Sequence, residues 1–354
     1  MIDCEKQYNL LFKLFNELIP DRLRVSIGSA AVLGLLNYRL SVPPTTAYLM
    51  SYTNGPCRAN CSFCAQACGN DADHDKLSRV IWPDFSVKNI LAGFKEPAYH
   101  VLERVCYQVI NYTGFLRDAV DIIKMLKRET ILPVSVDICP ISSTGLDKLH
   151  EAGAEYISIP LDGATKEIFN KVKGVDVNGP YQWNTHFKAL DSAVNVFGKG
   201  RVGSNIIIGL GESEKEAVEL VQRLHEMGIN PVLFAFTPVP GTRLENLSQP
   251  DGDNYRRIQI ARYLIVNEYA TIDEIAFEDG RIKEFMVSNL ASLLRDGEAF
   301  RTTGCPGCNR PFYNERPSGP FYNYPRKLTK AEIKKELEEI GLGNPSLSEV
   351  MYKK

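Results

Sequence analysis

Short apolar runs alternate with helix-length segments from residue 45 to residue 304, and this alternation limits the folds open to the chain. Strands are expected over 45–53, 104–111, 132–138, 155–162, 201–210, 230–238 and 271–278, with 298–304 as an eighth. Helical patterns fill the intervals: 116–129, the stretch after Ser143, a region ending at Val196, 213–227, 254–267 and 282–294. Strands alternating with helices of this length indicate parallel βαβ units, in which each helix covers one face of the sheet. Eight such units in roughly 250 residues fit a closed α/β barrel of the (β/α)8 TIM type. The alternative is an open, partial barrel with fewer strands. No repeat, low-complexity tract or linker divides 45–304.

Before the alternation, Leu10, Leu11, Leu14, Phe15 and Leu18 recur at helical spacing until Pro20. A second apolar helix near 30–36 stops at Pro43-Pro44. The expected organisation is an N-terminal helical extension over 1–44, a barrel over 45–304, and a C-terminal CxxC lid and helix over 305–354. The tail is rich in aromatic residues and proline, as a lid over a barrel mouth would be, and 327–341 reads as a charged helix with a solvated face. With 41 basic and 43 acidic residues, charge gives no reason to expect nucleic acid or an anionic membrane as partner. No run reaches the ~18 apolar residues of a membrane span. The N-terminus shows no basic segment followed by an apolar one, so a cytoplasmic protein is expected. Nine cysteines in such a chain point to metal binding rather than a disulfide framework.

The cysteines are placed for chemistry. Cys57, Cys61 and Cys64 form a CxxxCxxC loop after the first expected strand, with Phe63 before the last thiol. Three thiolates satisfy three irons of a [4Fe–4S] cube and leave one open, whereas an electron-transfer cluster usually has four cysteine ligands. The competing reading is a zinc knuckle with Cys68 as fourth ligand. Barrel enzymes carry their chemistry at the C-terminal ends of the strands, and Cys139, Asp162, Ile208-Gly209-Leu210-Gly211-Glu212 and Cys305-Pro-Gly-Cys308 all follow expected strands. Gly209–Glu212 offers backbone groups to a flat ligand, or is simply a tight turn. Asp162 is a hydrogen-bond acceptor for ribose hydroxyls, or the cap of the following helix. His186 could reach a ligand carboxylate. Cys106 and Cys139, on adjacent strands, could join Cys305 and Cys308 around a second cluster. Taken singly, each is an ordinary buried thiol, and Cys305–Cys308 could equally be a zinc half-site or a redox pair.

With its aromatic residue in place, the loop resembles the signature of radical S-adenosylmethionine (SAM) enzymes, whose open iron chelates the methionine part of SAM. Over about residues 45–300 the chain is similar to the biotin synthase-like branch. The likeness rests on Cys57–Gln66, Arg104-Val-Cys106, Asp137-Ile-Cys139 and Gly209–Glu212. It implies that Phe63, Asp162, His186, Ile208, Gly209, Gly211 and Glu212 surround SAM, and that Cys106 and Cys139 hold a sulfur-donating cluster. A third cysteine of that cluster is missing, with Gly203 or Ser204 near its place, and so is its arginine ligand. The tail cysteines could replace them and make the donor an auxiliary [4Fe–4S] cluster. In that combination the chain resembles one subunit of the two-component lipoyl synthases. That resemblance implies a sulfur insertase acting on octanoyl-lysine of a lipoyl-domain carrier protein, with a companion radical SAM subunit and a reductant such as ferredoxin. The alternatives within the branch are biotin synthase itself, or an enzyme without sulfur donation that is maturase-like or rearranges a carbon skeleton.

Overall fold

The computed structural model describes residues 20–53 and 55–340. The expected helix built on Leu10 to Leu18 lies outside the described residues. Among these residues no helix is long and apolar enough to cross a membrane.

Among the described residues the twelve strands are β1 (Arg22–Val25), β2 (Thr46–Ser51), β3 (Lys76–Leu77), β4 (Val80–Ile81), β5 (Asp84–Ser86), β6 (Arg104–Gln108), β7 (Val134–Asp137), β8 (Ala154–Ser158), β9 (Val202–Ile208), β10 (Asn230–Ala235), β11 (Ile275–Glu278) and β12 (Arg281–Phe285). The main sheet has eight of them, in the order β10-β9-β8-β7-β6-β2-β1-β5. Six, β2 and β6 to β10, run parallel; β1 and β5 are antiparallel additions beside β2. The eight-stranded, mainly parallel α/β architecture is that of the expected (β/α)8 fold. Its membership differs in detail. The region expected as strand seven pairs as β11 with β12 in a separate hairpin. Glu298–Phe300 is a single 3-10 turn rather than strand eight. The N-terminal segment contributes β1 to the sheet as well as a short helix, α1 (Ile27–Val32).

The outer helices are α2 (Val87–Gly93), α3 (Phe115–Glu129), α4 (Ser143–Glu151), α5 (Lys166–Val172), α6 (Trp183–Phe197), α7 (Glu214–Glu226), α8 (Gly252–Val266), α9 (Leu290–Leu294) and α10 (Lys330–Glu339). They form because their apolar residues recur on one stripe. In α3 that stripe is Ala119, Ile122, Ile123 and Leu126, all buried. Caps fix their starts: Ser213 and Glu216 make a reciprocal capping box at α7. Each fully buried aliphatic side chain in this layer contributes about 1.5–3 kcal/mol. Helix α10 is less solvated than its charge predicts. Its Ile333 and Leu337 join the core, and Glu336 is buried against Arg256 of α8.

The tail fills the side of the sheet between β10 and β2. Thr303 Oγ1 accepts from Leu233 N at 2.9 Å, and Gly304 O accepts from Asn230 Nδ2 at 2.8 Å, which covers the β10 edge. A few residues on, Pro306 O accepts from Arg104 Nε at 2.9 Å, and Asn309 Oδ1 accepts from Thr45 N at 2.9 Å. Residues 303–309 thus link β10 to the N-terminal ends of β2 and β6.

Candidate active site

Strand register stacks the barrel interior in levels. Tyr48, Cys106, Ser135 and Tyr156 pair across β2, β6, β7 and β8. Two residues further along, Met50, Gln108, Asp137 and Ser158 make the next level. The loop of Cys57, Cys61 and Cys64 follows β2 and lies beyond this second level, at the C-terminal ends of the strands.

The loop is fastened at several points. Cys57 N donates to Gln66 O at 2.8 Å, Arg58 N to Asn111 O at 2.7 Å, and Ser62 N to Val172 O at 2.7 Å. Asn60 Nδ2 donates to Val177 O at 2.6 Å. So held, Cys57, Cys61 and Cys64 line one cavity of about 210 Å³, together with Phe63, Gln108, Asp137, Cys139, Asp162, Lys173, Tyr181 and Asn205. Burial raises the Cys57 thiol, an effect opposed by the N–H groups of Ala59 and Asn111 at 3.4 and 3.3 Å from Sγ. Burial pushes Cys64 up to about 12, and Cys61 rises for the same reason. All three are free thiols. Cationic iron would relieve this cost by holding them as thiolates.

The donor set fits a cluster better than a single ion. Among the described residues no group of three or more His, Cys, Asp or Glu side chains is close enough to hold one metal ion. A zinc knuckle needs such a group, and Cys68 lies exposed. Three thiols spread around one cavity with backbone N–H groups aimed at sulfur suit a [4Fe–4S] cube.

Asp162 lines the same cavity in left-handed backbone, φ 67°, and Lys173 Nζ meets its Oδ2 at 2.6 Å. The cap of α5 is Thr165, so Asp162 is not a helix cap. Burial alone would lower Lys173, but Asp162 and Cys61 raise it on balance. Burial lifts Asp137 to about 7, although Asn205 Nδ2 donates to it at 3.0 Å. Lys173, Asp137, Asn205 and Tyr181 were missed in the sequence; the inward parity of Asp137 and Asn205 was the available signal.

Of the seven expected cofactor contacts only Phe63 and Asp162 line the cavity; His186, Ile208, Gly209, Gly211 and Glu212 do not. His186 is 1% exposed and does not line the cavity. Its Nδ1 lies 3.0 Å from Gln182 O, its ring packs edge-on to Phe169 and Tyr181, and burial lowers it to about 3. Ile208 faces the apolar core, and its neighbour Ile207 lines the cavity instead. Gly209 and Gly211 have φ of 103° and 113°, which demands glycine. The Gly209 and Leu210 N–H groups donate to Glu212 at 2.6 and 3.0 Å, so those two donors are already engaged within the turn.

A second group of thiols occupies the lower level. Cys308 Sγ is 3.3 Å from Tyr48 Oη; Cys305 interacts with Cys308 and Ser135, and Cys106 lies within electrostatic reach of both tail thiols. Cys305, Arg310 and Tyr48 together draw the Cys308 thiol below its ordinary value against the effect of burial. Arg310 lies 3.7 Å above the Phe234 ring. The tail cysteines were expected at the C-terminal rim, but they enter from the N-terminal end of the strands. Cys139 is not with them. It lines the upper cavity, where Cys57 and Tyr181 act on it. At Gly203 a side chain would crowd Tyr156, since a Cβ there would meet its Oη at 2.5 Å.

A mainly parallel α/β sheet with three converging loop thiols above its strand ends is the framework of a cluster-dependent radical enzyme. Residues 51–240 match the family described as Radical SAM superfamily. The chain belongs to that superfamily, and membership implies a [4Fe–4S] cluster and SAM. It is 26% identical over 200 residues to a biotin synthase of Sulfurihydrogenibium sp. (strain YO3AOP1), covering 55% of this chain and 56% of that protein. To a biotin synthase of Clostridium beijerinckii it is 25% identical over 268 residues, covering 72% of this chain and 78% of that one. The chain therefore spans little more than half the length of the first relative. The crystal structure of a methylornithine synthase superposes with a TM-score of 0.48 at 16% identity, over 66% of this chain and 68% of that one.

Proposed function

We propose that this chain is a radical SAM sulfur insertase acting on an octanoyl chain carried on a lysine of a lipoyl-domain protein. It would work with a companion radical SAM subunit and a reductant such as ferredoxin. The observation that carries the reading is the gathering of Cys106, Cys305 and Cys308 one level below the cavity of Cys57, Cys61 and Cys64. Cys57, Cys61 and Cys64 would hold a [4Fe–4S] cluster that, given one electron by the reductant, would cleave SAM to methionine and a 5′-deoxyadenosyl radical, and Cys106, Cys305 and Cys308 would hold an auxiliary cluster as the source of sulfur. The chain's own residues prepare that space. Lys173 and Asp162 present a paired cation and anion to polar groups of SAM. Met50, Ile110, Ile207 and Phe234 keep water from the region between the two thiol groups. Burial pushes the Asp137 carboxyl up to about 7, which favours its neutral form over that of an exposed carboxylate in the same region.

The test is anaerobic turnover of an octanoyl-lysine peptide by the reconstituted protein, with and without a companion subunit, read by mass spectrometry. Sulfur on the acyl chain supports the reading. SAM cleavage with no sulfur in any product rejects it. The closeness of Cys305 and Cys308, joined by a turn in which Cys308 N donates to Cys305 O at 3.0 Å, favours a second reading, an ordinary dithiol in a radical SAM enzyme without sulfur donation. That result would go with iron content unchanged by loss of Cys305 and Cys308.

A further inference from the structure

A separate cavity, of about 540 Å³, lies at the other end of the strands from the loop thiols. Thr45 and Glu103, just before β2 and β6, line it, and so do Cys305 and Cys308. Both tail cysteines are partly exposed, whereas Cys106, the third of the lower group, is buried. Neither tail cysteine lines the cavity of Cys57, Cys61 and Cys64, and no residue lines both cavities. The lower group therefore meets open space at the strand starts, away from the loop thiols.

The walls of this space are polar and unevenly charged. Arg301 and Glu298 offset each other, with Nη1 donating to both carboxylate oxygens at 2.9 Å. Arg262 has no carboxylate partner among the described residues. Its Nε donates to Pro231 O at 2.6 Å and its Nη2 to Asn230 Oδ1 at 2.7 Å, both neutral acceptors. Glu103 lies exposed, where water weakens its field. The uncompensated charge in the wall is thus a cation, and a cleft with one sign of charge concentrates small ions of the other.

A group of thiols that gives up sulfur to a product must be supplied with sulfur again before it can act twice. We propose that this cavity is the entrance by which hydrosulfide, a small sulfur anion, reaches Cys305 and Cys308 from the strand starts, without passing the cavity of Cys57, Cys61 and Cys64. The proposal rests on the preceding reading for what the lower thiols hold, and adds the route and its selection by charge. No bond forms or breaks during the passage itself.

The experiment uses the full-length chain, purified anaerobically before iron is added, and two methanethiosulfonate reagents of equal length. One ends in a sulfonate and mimics a small anion; the other ends in a trimethylammonium group. Mass spectrometry follows the modification of each cysteine, with exposed Cys68 as the reference for each reagent. Relative to Cys68, the anionic reagent should modify Cys305 and Cys308 about fivefold faster than the cationic one. A bulky ring at an exposed lining residue, in Glu103→Trp or Asn267→Trp, should slow both tail cysteines about tenfold and leave Cys57, Cys61 and Cys64 unchanged. Such selective slowing in either variant supports the entrance. No slowing in either, slowing shared by the loop thiols, or no modification of Cys305 and Cys308 in the wild type overturns it. Equal rates with the two reagents overturn the choice of an anion. Selective entry together with turnover that leaves no sulfur on octanoyl-lysine keeps the entrance and rejects sulfur insertion; sulfur insertion without selective entry does the reverse.

Discussion

Lys173 and Asp162 form a buried ion pair, Nζ to Oδ2 at 2.6 Å, on the wall shared by the three loop cysteines. Their side chains are 6% and 10% exposed, so each depends on the other to offset lost hydration. Removing one partner from such a pair costs about 3–5 kcal/mol, because the survivor is left charged and dry. Lys173→Met should therefore lose about that much stability in anaerobic urea unfolding. The double variant with Asp162→Asn should recover most of it. A loss below about 1 kcal/mol in the single variant would show that water reaches the pair.

Iron content separates the cysteines. The wild-type protein should hold about eight irons, two cubes of four. Replacing Cys106, Cys305 and Cys308 together by serine should leave about four and retain SAM cleavage. Cys139→Ala should leave about eight, since that thiol belongs to the upper cavity. Iron falling to about four in Cys139→Ala would return this residue to the auxiliary set.

Strand parity explains which parts of this were readable. The six parallel strands match the expected runs because each is a compact apolar segment followed by a helix pattern. Strands β1 and β5 have four and three residues, too short to show alternation, and only their pairing identifies them. Cys106 pairs across the sheet with Ser135, so Cys139 lies four residues higher, on the order of 13 Å of extended chain. The sequence contained that offset; grouping the cysteines by neighbouring strands alone overlooked it. Ile207 and Ile208 are the same lesson over one residue. The approach of Cys305 and Cys308 from the opposite end was not legible, because it depends on contacts across more than 200 residues.

Glu315 makes the tail sensitive to pH. Burial raises its carboxyl from 4.5 to about 7, partly opposed by Arg310 and by the N–H groups of Tyr322 and Asn323. A raised carboxyl pKa favours the folded state most when the proton is on. This stabilisation is complete below about pH 4.5 and is lost as pH rises through about 7, by at most about 3 kcal/mol. Glu315→Gln should flatten Tm against pH over that interval. An unchanged slope would place the titration in another group.

Arg256 anchors the end of the tail. It donates to Glu336 Oε2, Gln259 Oε1 and Tyr322 O, each at 2.5 Å, and also to Phe321 O. Arg256→Leu leaves Glu336 buried with only the Tyr324 hydroxyl at 2.6 Å, so a loss of about 3–5 kcal/mol is expected. Limited proteolysis should cut first between residues 316 and 326. Cleavage no faster than in the wild type would mean that the aromatic contacts of Phe321 and Tyr324 suffice alone.

The hydrogen bond from Thr45 to Gly307 O joins positions 262 residues apart. During synthesis, residues 45 to 235 can pair strand by strand as they emerge, and the loop thiols converge within that span. The lower thiols have no such independence, since Cys106 waits for its two companions until the stretch after residue 304 has been made and drawn back beneath the sheet. The three loop thiols can thus converge before the lower group is complete, although Tyr313 and Asn314 of the tail close the cavity they line only at the end.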